Sequence, residues 1–299
     1  MTVDLVNPTG SRSGVGVVVR STAWPAIDDR PGLQPVPVDD PGFAPAGPLA
    51  APDTVLDAYQ VVGPAGAPPI VFIHATRQHR GMWRPQQVGL ADTFRVVTLD
   101  LPGHGTITRR AFRLQRAVEQ VARVIDAAAD GRAIVVGISL GGYVAMELAA
   151  QHPHRVAGLM ICGATTEPWA IMRRPELVAA RLVLALEKER RAHWSRFLPQ
   201  PITVAADGSG PGIRLDGATQ ALLEIMGRRF RPRLERYPGS TLFVNGARDR
   251  VMRRHEAAFL HSAREGALLV LPNVGHMTNI EVPDQFNLIV RRFARSVDR

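Results

Sequence analysis

Ala133-Ile134-Val135-Val136-Gly137-Ile138-Ser139-Leu140-Gly141-Gly142-Tyr143-Val144-Ala145 is the stretch on which the reading of the fold turns. Ala133 to Ile138 is a short apolar run rich in β-branched residues, the length of a buried strand and too short for a helix. From Leu140 to Gln151 the pattern changes, with Ala145, Leu148 and Ala149 at helical spacing. Between the two lies G-x-S-x-G, Gly137 to Gly141, at an abrupt strand-to-helix turn. A serine in such a turn has a strained backbone, and its neighbours two residues away on either side must lack Cβ atoms for the chain to bend. Its hydroxyl then projects from the top of the sheet, where the helix N-terminus favours developing negative charge. Ser139 is therefore the candidate nucleophile.

Outward from this stretch, short β-branched runs alternate with longer helical ones, the pattern of a mostly parallel sheet covered by helices on both faces. Strands are predicted at Val55–Val62, Ile70–His74, Arg95–Asp100, Ala133–Ile138, Val156–Cys162, Ser240–Asn245 and Ala267–Leu271. Helices are predicted at Gln115–Ala129, Leu140–Gln151, Arg254–Arg264 and Pro283–Ser296. In such sheets ligands sit beyond the carboxyl ends of the strands. One interval breaks the alternation: helical runs at Glu176–Phe197 and Ala218–Phe230, with the Gly-rich Asp207–Gly212 between them, suggest an inserted helical cap. Upstream, the prolines between Trp24 and Pro52 predict extended, irregular chain. The expected organisation is a doubly wound α/β core with an N-terminal extension at 1–53, core at 54–163, cap at 164–238 and core again at 239–299.

With the elbow in place, four further segments resemble, in order, those of the α/β-hydrolase family, and the resemblance runs from about Val55 to the end of the chain. Ile70-Val71-Phe72-Ile73-His74-Ala75-Thr76 with Trp83 is similar to its oxyanion strand and loop, and Leu99-Asp100-Leu101-Pro102-Gly103-His104-Gly105 to its next strand-to-loop turn. Asn245-Gly246-Ala247-Arg248-Asp249 is similar to its acid loop, and Val274-Gly275-His276-Met277 to its histidine loop. The chain order Ser, Asp, His also agrees. The resemblance implies Ser139 as nucleophile, His276 as base and Asp249 as the acid that orients it, with the amides of Leu140 and Thr76 forming the oxyanion hole. Read from the residues themselves, His276 follows a strand and the turn Pro272-Asn273, where a neutral imidazole could accept the serine proton and later return it. Glu167, just past the strand ending at Cys162, is the rival acid. The family places glycine directly after the histidine matching His74, whereas this chain has Ala75, whose Cβ restricts the backbone unless φ there is below zero.

Candidate substrate-contacting residues are Ala75 and Arg77 on the oxyanion loop and Trp169 and Trp194 in the cap. Arg77 and Arg80 could hold a substrate carboxylate, and Trp169, Met172, Trp194 and Phe197 could line an apolar pocket. Solvent-facing arginine and simple cap packing are the bland alternatives. Cys162, ending an apolar strand, reads as buried and inert. His152 and His154 lack a third metal ligand and read as helix-terminus residues, while His74 and His104 fix loops.

The bulk composition narrows the rest. The 299 residues carry a formal charge of +9, almost wholly from arginine, since Lys188 is the single lysine. The charge is spread along the chain, and Arg228-Arg229-Phe230-Arg231 with Arg233 and Arg236 reads as a solvated helix face, so nucleic-acid binding is not expected. The single cysteine excludes an intrachain disulfide and a cysteine-based zinc site. No run reaches the 18 or so apolar residues of a membrane span, and the N-terminus lacks a signal-like h-region, which suggests a soluble, cytoplasmic protein. No metal or organic cofactor is implied, and the oligomeric state is not written in the sequence. The expected activity is hydrolysis of a small ester, lactone or similar carbonyl substrate through an acyl-enzyme on Ser139. Carbon–carbon bond hydrolysis, perhydrolysis or amide cleavage on the same triad, or a low-turnover receptor, are the alternatives.

Overall fold

Alternate residues of the apolar runs face opposite ways, and this decides the layers. A computed structural model describes residues 16–19, 58–108, 110–168 and 217–297. Its strands are β1 (Gly16–Val19), β2 (Tyr59–Val62), β3 (Pro69–Ile73), β4 (Arg95–Leu99), β5 (Ala133–Ile138), β6 (Val156–Cys162), β7 (Ser240–Gly246) and β8 (Glu265–Leu271). They form one sheet in the order β1-β8-β7-β6-β5-β3-β4-β2. β3 to β8 run parallel, and β1 and β2 close the two edges antiparallel. Because side chains alternate along a strand, Val71, Ile73, Val135, Leu159 and Phe243 join one core, while Ile70, Phe72, Val136, Met160 and Val244 join the other.

The described helices are α1 (Arg84–Leu90), α2 (Leu114–Ala128), α3 (Leu140–Gln151), α4 (Gly217–Met226), α5 (Arg231–Leu234), α6 (Glu256–Ser262), α7 (Thr278–Glu281) and α8 (Pro283–Val297). α2 and α3 cover the first core, with Val118, Val121 and Ile125 of α2 buried against it. α1 and α8 cover the second through Leu90, Phe286, Val290 and Phe293. The sheet is thus doubly wound, as expected. Strand order reverses between β3 and β5, and a crevice opens at such a switch point. The loops after these two strands carry His74 to Thr76 and Ser139.

The element pattern and the basic run differ in part from the expectations. β1 and α1 were not anticipated. The helical run Glu176–Phe197 and most of the expected cap lie outside the described residues, and only α4 and α5 represent the interval before β7. The basic run 228–236 is only in part the solvated face expected: Arg229, Arg231 and Arg236 are exposed, but Phe230 is fully buried, Arg231 Nε lies 3.3 Å from Glu167 Oε1, and Arg233 Nε lies 2.8 Å from Glu147 Oε2. The reason is that Glu147 and Glu167 are nearly buried carboxylates, and a buried charge requires a cation or donors beside it. Among the described residues no helix is long and apolar enough to cross a membrane.

Candidate active site

Ser139 sits between β5 and α3 with φ 54° and ψ −116°, a conformation that L-residues rarely adopt. The two flanking glycines explain how the chain reaches it. A Cβ on Gly137 would fall 2.3 Å from the Gly141 carbonyl oxygen, and one on Gly141 would fall 2.1 Å from that of Ile73. Without side chains there, the N-terminus of α3 lies against the end of β3. Leu140, the first residue of α3, has no intrahelical acceptor for its N–H. The Ser139 N–H donates to the Cys162 carbonyl at 2.9 Å, tying the elbow to the end of β6.

His276 and Asp249 meet in the next layer of loops. His276 Nδ1 lies 2.5 Å from Asp249 Oδ2, and Asp249 Oδ1 accepts the Met252 N–H at 3.2 Å. A carboxylate only accepts, so the proton belongs on Nδ1 and Nε2 is left with its lone pair. The Asp249 side chain is 8% exposed and that of His276 34%, so the acid is shielded while the imidazole reaches solvent. The ring rests on Gly163, which has φ 53°, and a Cβ there would fall 2.9 Å from both Nδ1 and Cε1. Ser139 and His276 therefore lean on consecutive residues, Cys162 and Gly163, at the end of β6. Glu281 brackets the histidine, accepting the Gly275 N–H at 2.7 Å and the Met277 N–H at 3.1 Å. Neither Gly163 nor Glu281 was singled out from the sequence.

The loop after β3 lies alongside. Ala75 is 3% exposed and its N–H points to Met82 Sδ at 3.5 Å. It is not among the positive-φ residues; the left-handed position in this loop is Arg77, with φ 60°. The Cβ of Ala75 thus meets no backbone conflict, and the departure from glycine is harmless to the loop's conformation. The Ala75 carbonyl accepts the Gln78 N–H at 3.2 Å and the His74 Nδ1–H at 2.8 Å. His74 Nε2 in turn accepts the Leu101 N–H at 2.9 Å, so one fully buried imidazole staples this loop to the next. Burial, ahead of the neighbouring charges, lowers its pKa to about 4, which keeps it neutral as both bonds require. The Thr76 hydroxyl is buried with no hydrogen-bond partner among the described residues.

Other candidates are placed as follows. Arg77 is exposed. Arg80 is committed to the buried Asp100, through its N–H at 2.7 Å and Nη1 at 2.9 Å, which takes it away from a substrate-binding role. Trp169 and Trp194 lie outside the described residues. The rival acid Glu167 turns its carboxylate to the Phe230 and Arg231 N–H groups at 3.1 and 3.3 Å, capping α5. Cys162 is fully buried, and burial pushes its thiol pKa well up, so it holds no ready thiolate. His152 and His154 both face Arg155 Nη1, at 3.3 and 2.8 Å. Among the described residues no group of three or more His, Cys, Asp or Glu side chains is placed to hold a metal ion.

A doubly wound sheet with a strained serine elbow at its switch point and a histidine–aspartate pair beside it defines an α/β hydrolase. Residues 70–287 match the model of the Alpha/beta hydrolase family, and the chain belongs to that family. It is 27% identical to a pimeloyl-[acyl-carrier protein] methyl ester esterase of Nitrosospira multiformis over 76% of this chain and 95% of that one. It is also 27% identical to 3-oxoadipate enol-lactonase 1 of Acinetobacter baylyi, over 80% of this chain and 92% of the relative. Among solved structures, a hydrolase from Pseudomonas aeruginosa aligns with a TM-score of 0.63 at 25% identity, covering 84% of this chain and 99% of that one.

Proposed function

We propose that the protein hydrolyses small esters or lactones through an acyl-enzyme on Ser139. The observation that carries this reading is the convergence of the strained Ser139 and the 2.5 Å His276–Asp249 pair on the adjoining residues Cys162 and Gly163. His276 Nε2 takes the hydroxyl proton as Ser139 Oγ bonds to the substrate carbonyl carbon, and the carbonyl oxygen becomes an oxyanion held by the Leu140 and Thr76 amides. The imidazolium, stabilised by Asp249, then protonates the leaving alcohol as its bond to carbon breaks. A water repeats the attack, giving its proton to His276, and the acid product leaves with Ser139 regenerated. The ester and lactone hydrolases among the relatives support the same substrate class.

The test is turnover of p-nitrophenyl acetate and of a simple γ-lactone by the protein and by Ser139→Ala, with a serine-directed phosphonate as an independent label. Turnover lost in the variant and label on Ser139 are expected. Equal turnover in both proteins, or folded protein left unlabelled at Ser139, refutes the reading.

A further inference from the structure

Asn245 lies near the end of β7, directly after the buried Phe243 and Val244, and is itself fully buried. A primary amide in such surroundings must find partners or cost folding free energy, and this one finds three. Its Oδ1 accepts the Gly163 N–H at 3.2 Å, and its Nδ2 donates to Thr165 Oγ1 at 2.9 Å and to Glu256 Oε2 at 3.2 Å. The partners' chemistry fixes which way the amide points. Gly163 N–H only donates, the Glu256 carboxylate only accepts, and the Thr165 hydroxyl proton is given to the Met252 carbonyl at 2.8 Å.

Each partner leads to one half of the His276–Asp249 pair. Gly163 is the surface on which the imidazole rests. Glu256 is gripped by Arg253 Nε and Nη2 at 2.8 and 2.7 Å, and Arg253 Nη1 reaches the Ala247 carbonyl at 3.0 Å, so this cluster braces the turn that carries Asp249. Thr165 is bonded to that same turn, accepting the His255 N–H on its carbonyl at 3.1 Å. We propose that Asn245 is a positioning residue for His276 and Asp249: its amide locks the floor beneath the imidazole and the turn beneath the carboxylate to one strand end, so neither moves without the other. The inference rests on the triad reading above, and it adds to it a group that touches no substrate.

Asn245→Asp tests it at constant shape, keeping an acceptor for Gly163 but setting a carboxylate against Glu256. The expected result is a fall in kcat of roughly 10- to 100-fold, since small misplacements of catalytic groups have costs of that order, with KM little changed. The short bond predicts a strongly downfield NMR resonance for the His276 Nδ1 proton of the unaltered protein, and in the variant this resonance should broaden or disappear. If Asn245→Asp does not fold, Thr165→Val removes the hydroxyl bridge with charges untouched and should lower kcat about threefold or more. A single variant with unaltered kcat and resonance overturns the proposal. Absence of Ser139-dependent turnover in the unaltered protein would instead refute the hydrolase reading, while the proton resonance tests Asn245 with or without a substrate.

Discussion

Gly163→Ala should damage catalysis far more than stability. Two separable costs follow from the structure. The first is conformational: φ at this residue is 53°, a left-handed value that costs a residue bearing a Cβ about 1 kcal/mol. In a domain of this size that lowers the melting midpoint by roughly 2 to 4 °C, and the chain stays almost wholly folded at 25 °C. The second is steric and falls on the site. The new methyl would stand 2.9 Å from His276 Nδ1 and Cε1, whereas ordinary contact begins near 3.4 Å, so the ring must withdraw by about half an ångström. Asp249 cannot follow freely, because its other oxygen is held by the Met252 N–H. The 2.5 Å bond stretches, and the imidazole leaves the position from which it is proposed to take the Ser139 proton. A displacement of this size should lower kcat by roughly 10- to 100-fold. Gly131→Ala is the control: φ there is 79°, and a Cβ meets nothing within 4 Å. Steady-state hydrolysis of p-nitrophenyl acetate and thermal melting of both variants are the assays. Similar small melting shifts with activity lost only in Gly163→Ala are expected. Full activity in Gly163→Ala, or equal loss in Gly131→Ala, refutes the reasoning.

The other expected outcomes concern pH and the choice of acid. Folding lowers the His74 pKa from 6.5 to about 4, so as pH falls the unfolded chain binds this proton first. The contribution is complete above 6.5 and is lost as pH falls through 4, on the order of 3 kcal/mol in all. His74→Gln should flatten that part of the plot of melting midpoint against pH, and an undiminished slope in the variant would show that another group is responsible. Asp249→Asn should lower kcat about a thousandfold or more by releasing the His276 tautomer. Glu167→Gln should leave kcat within a few-fold and lower the melting midpoint instead, as the cap on α5 weakens. Were Glu167→Gln the more damaging to turnover, the assignment of the acid would be wrong.

What the sequence made legible was whatever is settled within a few residues. β5, the elbow and α3 follow from one continuous stretch, and the parallel strands follow from short apolar runs whose alternate residues serve two cores. β1 was illegible because Gly16–Val19 becomes a strand only by pairing with β8, more than two hundred residues away. α1 was masked by Pro85 at its start and Gly89 near its end, both poor interior helix residues. The basic run at 228–236 carries its charges in plain view, but the buried carboxylates that claim Arg231 and Arg233 come from α3 and the loop after β6. Charge patterning along a sequence records cations without recording what they face.

The same distinction separates the groups proposed to react from those that hold them. Ser139, His276 and Asp249 announce themselves because reactive side chains are few in kind and the local motif around each is short. Gly137 and Gly141 are legible for a related reason: the atoms that exclude their side chains belong to the elbow itself or to the strand that the resemblance places beside it. Gly163 obeys the same steric rule, yet the side chain pressing on it is that of His276, in another loop, so nothing near it in sequence gives its reason. Asn245 was read only as a letter of the acid-loop segment, and its amide meets the partners that suggest its proposed role only when β6 and β7 lie side by side. Positioning in this fold is therefore a property of strand ends brought together, and variants at those ends discriminate between readings of the site better than variants of the reactive groups themselves.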